Sequence, residues 1–479
     1  MMFKKIKMII KILSIVIILL LLTGGFYYLH LRNKMNTLDG QIEKEFAKLR
    51  KAGFLVSTEE IEKSYCYPSG KNGADLFYKV FSHLTTDCSA KYCDLPFLGG
   101  KNLPSQKPLD NKMKKLISEY IQENKNAIEL LNQATFRECR YKVDCSDGIR
   151  LLLPHLSELY QASNLLCLKA LLEIENKNSQ KAIQAILSNF RTGFSLENEP
   201  FQFSFISKIN IIDKTIKTCE RLLTQLKLDE NQLQELSVVL NQIKKSAKMK
   251  NILRGEAWDI REYYKAIFQG NHPDFPNFSW VHKFGLLIYR LRGDMHRDFL
   301  FSLRALHSYM KIIDIPIQEC IQKAKALDNK YMKIMAKSFK KRQLIFANLV
   351  NKVYGNIISR YATHIAKIDM LRLALAIEQY RLENNKLPQR LNMVSKYIPI
   401  PQDPYDSNSL RYKKTDSGYL IYSIGENNKD DGGIEKRKIK MQTIALGVKK
   451  KIKDMTGVQV QDTDTYITEP LDIVFEVRR

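Results

Sequence analysis

The stretch from Leu152 to Leu172, LLPHLSELYQASNLLCLKALL, decides the fold class. Around it, Leu151, Leu152, His155, Leu156, Leu159, Leu165, Leu166 and Leu168 recur at spacings of three and four, which lines one face of an α-helix. The pattern continues downstream with breaks near Asn176, Glu199 and Asp229. Helices of about 15 to 25 residues joined by short connectors predict an antiparallel helical array. No fixed repeat period demands a solenoid. The segment Gly270 to Ser279, with Pro273 and Pro276, is the longest irregular connection and is expected to divide two helical layers. Further helices are predicted from Gly285 to Ile313 and from Ile317 to Asn385.

Upstream, Ile12 to Leu31 reads ILSIVIILLLLTGGFYYLHL without a formal charge, behind Lys4, Lys5, Lys7 and Lys11. About 20 residues at 1.5 Å each cross a hydrocarbon core of about 30 Å. A helix satisfies its own backbone groups in lipid, and Tyr27 and Tyr28 suit an interface. The rival reading, a cleavable signal peptide, calls for a shorter apolar region ending in a small-x-small site. Here Thr23, Gly24 and Gly25 lie inside the stretch. Basic residues stand on both sides, so their count does not fix the orientation. A short basic start followed at once by an apolar run is the usual signal-anchor order, which places residues 35 to 479 outside the cytoplasm.

The remaining composition bounds the classes. With 479 residues, 44% hydrophobic and 27% charged, the chain can bury a substantial core, which excludes collagen-like, wholly disordered and polytopic classes. The net charge of +25 attracts anionic lipid, acidic glycans or phosphate polymers. The bases are interspersed with acids and no nucleic-acid motif accompanies them, so a solvated lysine-rich surface is the plainer account and no nucleic-acid partner is expected. Cys66, Cys88, Cys93, Cys139 and Cys145 crowd into a loop-rich region, which predicts disulfides rather than zinc because no CxxC or paired histidines stand nearby. Cys167, Cys219 and Cys320 fall in helical, apolar patterns that predict buried free thiols.

After Asn385 the pattern changes. Pro388, Pro399, Pro401, Asp403-Pro404 and Gly418 punctuate short β-type runs at Leu410 to Lys413, Tyr419 to Ile424 and Leu471 to Val477. The expected fold is therefore mainly α: an N-terminal transmembrane helix at 1–34, a helical cysteine-rich region at 35–149, an antiparallel helical array at 150–364, and a small C-terminal α+β domain with a short antiparallel sheet at 365–479.

The block Leu371 to Gly433 contains ALAIEQYRLENNKLP, PIPQDPYD, LRYKK and GYLIYSIGENNKDDGG. Through Ala374, Leu375, Glu378, Tyr380, Pro388, Asp403, Pro404, Tyr412, Tyr422, Ser423, Gly425, Asp430, Asp431, Gly432 and Gly433 it resembles the C-terminal half of the major pseudopilin of type II secretion systems. The whole chain looks like uncharacterised bacterial envelope proteins that join an anchor and a helical region to such a tail, a group that supplies no activity. One departure matters: Gly25-Phe26 closes the apolar stretch instead of opening it and no glutamate follows within five residues, so the processing and assembly signal of a pseudopilin is not reproduced. The resemblance implies a calcium site. Glu426, Asn427, Asn428, Asp430 and Asp431, with Asp472 beside them, offer the oxygen ligands calcium prefers, whereas an ordinary acidic turn uses the same residue types.

Catalytic signatures are missing from the sequence: none of the eight histidines sits in HExxH, and GxSxG, Walker-type and GxGxxG segments do not occur. His155 lies on an apolar face and is expected to be a core histidine. Arg292, Asp294, His296 and Asp298 scatter around a helix. Gly255 inside LRGEAWDIRE costs about 1 kcal/mol against Ala, which close packing explains, and Arg254 with Glu256 reads as an architectural pair. The lysines between Lys323 and Arg342 read as a solvated face rather than a stripe for anionic lipid or glycan. The expected function is that of a non-enzymatic, single-pass protein of the bacterial inner membrane with a periplasmic binding or scaffolding ectodomain. Its partners are expected to be the membrane, other envelope or secretion proteins, and anionic lipid or glycan. The rivals are an accessory component of a secretion or pilus-like machine and a hydrolase of envelope polymers.

Overall fold

The computed structural model describes residues 2–65, 72–85, 91–98, 108–134, 136–270, 280–340, 344–347, 354–440 and 466–479. The irregular connection expected from Gly270 to Ser279 lies outside them from residue 271 onward, as do Cys66 and Cys88.

The first helix, α1 (Met2–Lys51), is unbroken. Its segment from Leu13 is long and apolar enough to cross a membrane, and no part of that apolar window is covered by protein. Thr23, a polar residue within it, returns its hydroxyl to the Leu19 carbonyl at 2.8 Å, which hides the group inside the helix. Further along the same helix the pattern inverts: Ile42, Phe46 and Leu49 are 4%, 1% and 0% exposed. The expected junction at residue 34 therefore falls inside one rod that is bare at one end and part of a core at the other.

Short helices follow: α2 (Thr58–Ser64), capped by the Ser57 side chain, α3 (Ala74–Phe81), α4 (Asn111–Glu123), capped by Asp110, and α5 (Lys125–Leu131). The last two are divided at Asn124, which caps the end of α4 and the start of α5. The deciding stretch forms α6 (His155–Glu175), packed with α7 (Ser179–Phe194) and α8 (Gln202–Gln225), while α9 (Glu230–Ser246) packs on α7, and the helix ends match the predicted breaks. Gly193 lets α7 close on α8, since a Cβ there would stand 2.9 Å from Ile212 Cγ1. A reciprocal capping box between Asp229 and Gln232 opens α9.

The next group is α10 (Met249–Leu253), α11 (Glu256–Gln269), α12 (Trp280–Leu291), α13 (Asp294–Met310), α14 (Ile317–Lys340) and α15 (Tyr354–Asn384). Two predicted helices are interrupted. Gly293, at φ +74°, turns the chain between α12 and α13. Residues 344–346 form a turn because the backbone N–H groups of Phe346 and Ala347 donate to the buried Asp298 carboxylate, at 2.8 and 2.7 Å, instead of to a helical carbonyl. The helix α15 spans two cores: Tyr354, Ile357 and Ile358 pack with α1, α11 and α13, while Leu371, Leu375 and Ile377 pack with α7 to α9. The expected junction at residue 364 lies inside it.

The sheet is small and antiparallel. Strands β1 (Arg411–Thr415) and β2 (Gly418–Ser423) form a hairpin. A separate ribbon is made by β3 (Lys436–Lys440) and β4 (Tyr466–Pro470), and β5 (Ile473–Arg478) returns to pair with β2, giving the order β1-β2-β5. Tyr419, Ile421, Phe475 and Val477 drive its inner face onto α8 and α15.

The disulfide expectation is corrected at two positions. Cys139 and Cys145 are buried free thiols. Cys139 Sγ sits where a Gly73 Cβ would be only 2.7 Å away, so this sulfur fills a packed corner, and burial pushes its thiol up to about 12. Cys167, Cys219 and Cys320 are also buried free thiols.

Candidate functional site

Gly255 decides where α11 begins. A Cβ at that position would stand 2.2 Å from the Pro200 carbonyl oxygen, so only glycine lets the helix close on the loop before α8. That approach brings Glu256 and Asp259, one turn apart on α11, against residues 148–153 and 201–203. Between them lies a cleft of about 350 Å³, lined by Ile149, Leu151, Leu153, Phe201, Phe203, Ile260 and Tyr263 as well as the two acids. Phe203 is 71% exposed at its rim. The wall behind Phe201 is the indole of Trp258, 6.0 Å from it centroid to centroid and held by a bond from Nε1 to Thr58 Oγ1 at 3.1 Å.

The acids are poorly compensated. Glu256 is 6% exposed, and its Oε1 is buried without a hydrogen-bond partner. Burial, and after it repulsion from Asp259, pushes the Glu256 carboxyl well above the usual range, with the Tyr354 hydroxyl a lesser counterweight. Burial takes Asp259 up to about 7. Both shifts favour the protonated form of the pair over the ionised one. A protonated carboxyl beside a titrating one can donate a hydrogen bond, accept one, or receive a cation. Arg254 does not neutralise Glu256: its carbonyl accepts from Leu55 N at 2.9 Å, and among the described residues no ion pair links the two. The sequence reading found Glu256 but missed Asp259, for which the spacing of three along a helix was the available signal.

No protein-family profile, curated protein or solved structure matches the chain. The site is therefore read from its geometry.

The C-terminal acids are hydrogen-bonded within their own loop. Asp472 is 2% exposed and accepts the backbone N–H groups of Gly433 at 2.7 Å and Asp431 at 3.3 Å, and burial raises its pKa. Asp430 Oδ1 accepts from Gly432 N at 2.9 Å, and Asp431 Oδ2 accepts from Asn427 Nδ2 at 2.8 Å. Asn428 donates from Nδ2 to the Glu426 carbonyl at 3.3 Å, and Lys325 Nζ donates to the same oxygen at 3.1 Å. Among the described residues no group of three or more His, Cys, Asp or Glu side chains is arranged to hold a metal ion.

The other sequence candidates resolve into structure. His155 is buried, with Nε2 2.8 Å from Glu199 Oε1 and its ring stacked on Tyr141 at 4.4 Å, while the Tyr65 hydroxyl donates to the same Glu199 oxygen at 2.6 Å. Asp294 pairs with Arg292 at 3.0 Å and Arg297 at 2.8 Å. His296 lies 3.5 Å from Asp39 of α1. Asp298 also takes the hydroxyls of Tyr264 and Tyr289, each at 3.1 Å, and burial lifts it to about 6. Lys323, Lys330, Lys333 and Lys337 are exposed on α14, and Lys341 and Arg342 lie outside the described residues.

Proposed function

We propose that the chain is a single-pass protein of the bacterial inner membrane whose periplasmic ectodomain binds a ligand in the Glu256–Asp259 cleft. The observation that carries the binding reading is the bare, fully buried Oε1 of Glu256 beside a second acid in an apolar, open-rimmed cleft. Native proteins seldom leave a buried carboxyl oxygen unpaired, and a cleft of this size with few polar groups suits a small amphipathic molecule. The complementary ligand has an aromatic or aliphatic body for Phe201, Phe203 and Leu153 and a hydrogen-bond-donating, basic end for the acids. The anchor is supported by the bare apolar half of α1 and its rigid continuation into the ectodomain core.

Calorimetric titration of the full chain in lipid nanodiscs with 2-phenylethylamine and with 3-phenylpropionate tests the cleft. The amine is expected to bind more tightly, by about tenfold, the worth of one charge-assisted hydrogen bond. That preference should vanish in Asp259→Asn. Equal affinities, or no heat from either compound, would sink the assignment.

Two further readings rest on particular features. The raised pKa values of Glu256 and Asp259 favour hydrolysis of an envelope polymer, with Glu256 as proton donor, and Glu256→Gln would then abolish turnover. The resemblance of residues 371–433 to a pseudopilin favours an accessory place in a secretion system, for which co-purification with secretion components is the measurement. Calcium binding by Glu426, Asp430, Asp431 and Asp472 belongs to that second reading, and calorimetry of the full chain with calcium checks it.

A further inference from the structure

The helix α12 carries its apolar residues on the wrong side for a water-soluble surface. Phe284, Leu287, Ile288 and Leu291, at positions i, i+3, i+4 and i+7, are 58%, 48%, 42% and 45% exposed. They form one continuous stripe. The helix is held down firmly by its opposite face. Tyr289 is 7% exposed, its hydroxyl donates to Asp298 Oδ2 at 3.1 Å, and its ring lies 6.0 Å from that of Phe346. Leu286 packs into the same core. The stripe is thus a fixed outward face. Scattered exposed hydrophobics are ordinary, but an ordered stripe on a docked helix marks an interaction surface.

Its position says what covers it. Immediately after α12, Gly293 turns against α1: a Cβ there would stand 3.6 Å from Leu38 Cδ1 and 3.8 Å from Met35 Cγ. One turn later His296 meets Asp39 at 3.5 Å. Met35 and Asp39 are four and eight residues beyond Leu31, the end of the apolar stretch, or roughly 6 and 12 Å along the helix axis. The headgroup layer on each side of a bilayer is roughly 5–8 Å deep. The C-terminal end of α12 therefore stands at the outer edge of the headgroup layer of the membrane that α1 crosses, between the depths of Met35 and Asp39.

Charge agrees with that placement. From Trp280 to Arg292 the sequence WVHKFGLLIYRLR contains Lys283, Arg290 and Arg292 and no acidic residue, and Arg32 and Lys34 follow the span on α1. The Arg290 guanidinium sits 5.8 Å over the Phe268 ring, and Arg292, half exposed, pairs through Nε with Asp294 at 3.0 Å. An apolar stripe flanked by arginines is the composition of a helix that lies in a membrane surface and is drawn to anionic lipid.

We infer that α12 is a second membrane contact, an interfacial helix that inserts the Phe284, Leu287, Ile288 and Leu291 stripe into the headgroup–acyl boundary of the bilayer beside α1. The consequence is that the ectodomain is held at a fixed tilt by two attachments instead of swinging on one. This inference rests on the reading of α1 as a membrane span, and the test separates the two.

The full chain is reconstituted into phosphatidylethanolamine and phosphatidylglycerol vesicles containing acyl-brominated lipid, which quenches tryptophan on contact. In a Trp280→Phe background the remaining native indole, Trp258, is 1% exposed and supplies the baseline. Two reporters are added singly, Tyr27→Trp on α1 and Leu287→Trp on α12. Quenching of the Leu287→Trp protein is expected to exceed baseline by about twofold, and to weaken when phosphatidylglycerol is replaced by phosphatidylcholine. Quenching of Tyr27→Trp with none of Leu287→Trp would overturn the α12 contact and leave the anchor standing, whereas quenching of neither would remove the anchor itself. Baseline quenching together with a disulfide-linked dimer of Leu287→Cys would assign the stripe to a second copy of the chain and likewise overturn the lipid contact.

Discussion

Asp403 and Glu256 are both buried acids, 1% and 6% exposed, and they lead opposite lives. Asp403, in the turn before β1, accepts from Ser423 Oγ at 2.8 Å, Ile424 N at 3.0 Å and Tyr405 N at 3.0 Å, and it pairs with Arg411. Both oxygens are used, and the carboxylate ties its own turn to the start of β1 and the end of β2. Glu256, at the start of α11, keeps a bare oxygen and a second acid for a neighbour. A satisfied buried carboxylate is a fastener, and an unsatisfied one in an open cleft is a group kept for something else.

The largest test of this contrast is to remove the fastener. Asp403→Ala orphans two backbone N–H groups and takes from Arg411 one of its close partners, Asp406 remaining, and should cost about 2–6 kcal/mol, about 1–3 kcal/mol for each buried donor left unsatisfied. Denaturant unfolding of the protein in detergent reads it, and a loss under about 1 kcal/mol would mean that Asp403 is no fastener. Gly255→Ala attacks the other region through its entrance. A methyl group 2.2 Å from the Pro200 carbonyl oxygen forces α11 away from the loop, which should cost about 1–3 kcal/mol and widen the cleft. Unchanged stability would show that the loop yields without effort.

Asp259 offers a test by pH. Its pKa is about 7 in the folded protein against an ordinary value of 3.8, so the folded state holds a proton that the unfolded state has lost. Stability from this group is fully present below pH 4, declines between about pH 4 and 7 by at most about 1.4 kcal/mol per pH unit, and is flat above. Asp259→Asn should flatten that decline. Melting temperatures across this window, compared between the two proteins, check it, and parallel curves would show that Asp259 does not titrate abnormally.

Much of the fold was readable in the sequence because it rests on short-range periodicity. The breaks near Asn176, Glu199 and Asp229 coincide with helix ends, and the runs at Tyr419 to Ile424 and Leu471 to Val477 became β2 and β5. What escaped notice depends on partners distant in sequence. The turn at 344–346 exists because Asp298, nearly fifty residues earlier, needs two backbone donors. The outward stripe of α12 looks like an ordinary helical period until its inward face is seen to be Leu286 and Tyr289. The cleft was half legible: Gly255 and Glu256 drew notice, but Asp259 gained its meaning only when Pro200 and Phe201 closed over it. The crowded cysteines suggested disulfides by count, yet Cys139 and Cys145 serve as packed sulfur atoms.

The smallest expected effect marks the lower end of the comparison. Lys323 and Glu319 pair at 2.6 Å on α14, four residues apart, with side chains 51% and 50% exposed. Water already solvates both ions, so their attraction replaces hydration at almost no gain, and such helix pairs contribute only about 0.3–0.5 kcal/mol. Lys323→Ala should therefore shift unfolding by less than about 0.5 kcal/mol, and the difference should vanish in high salt, where exposed pairs are screened. A larger shift would mean that the α14 lysines touch something the exposed face does not reveal. The expected null assigns the net charge of +25 to solubility and long-range attraction, and leaves the fold to its buried, satisfied acids.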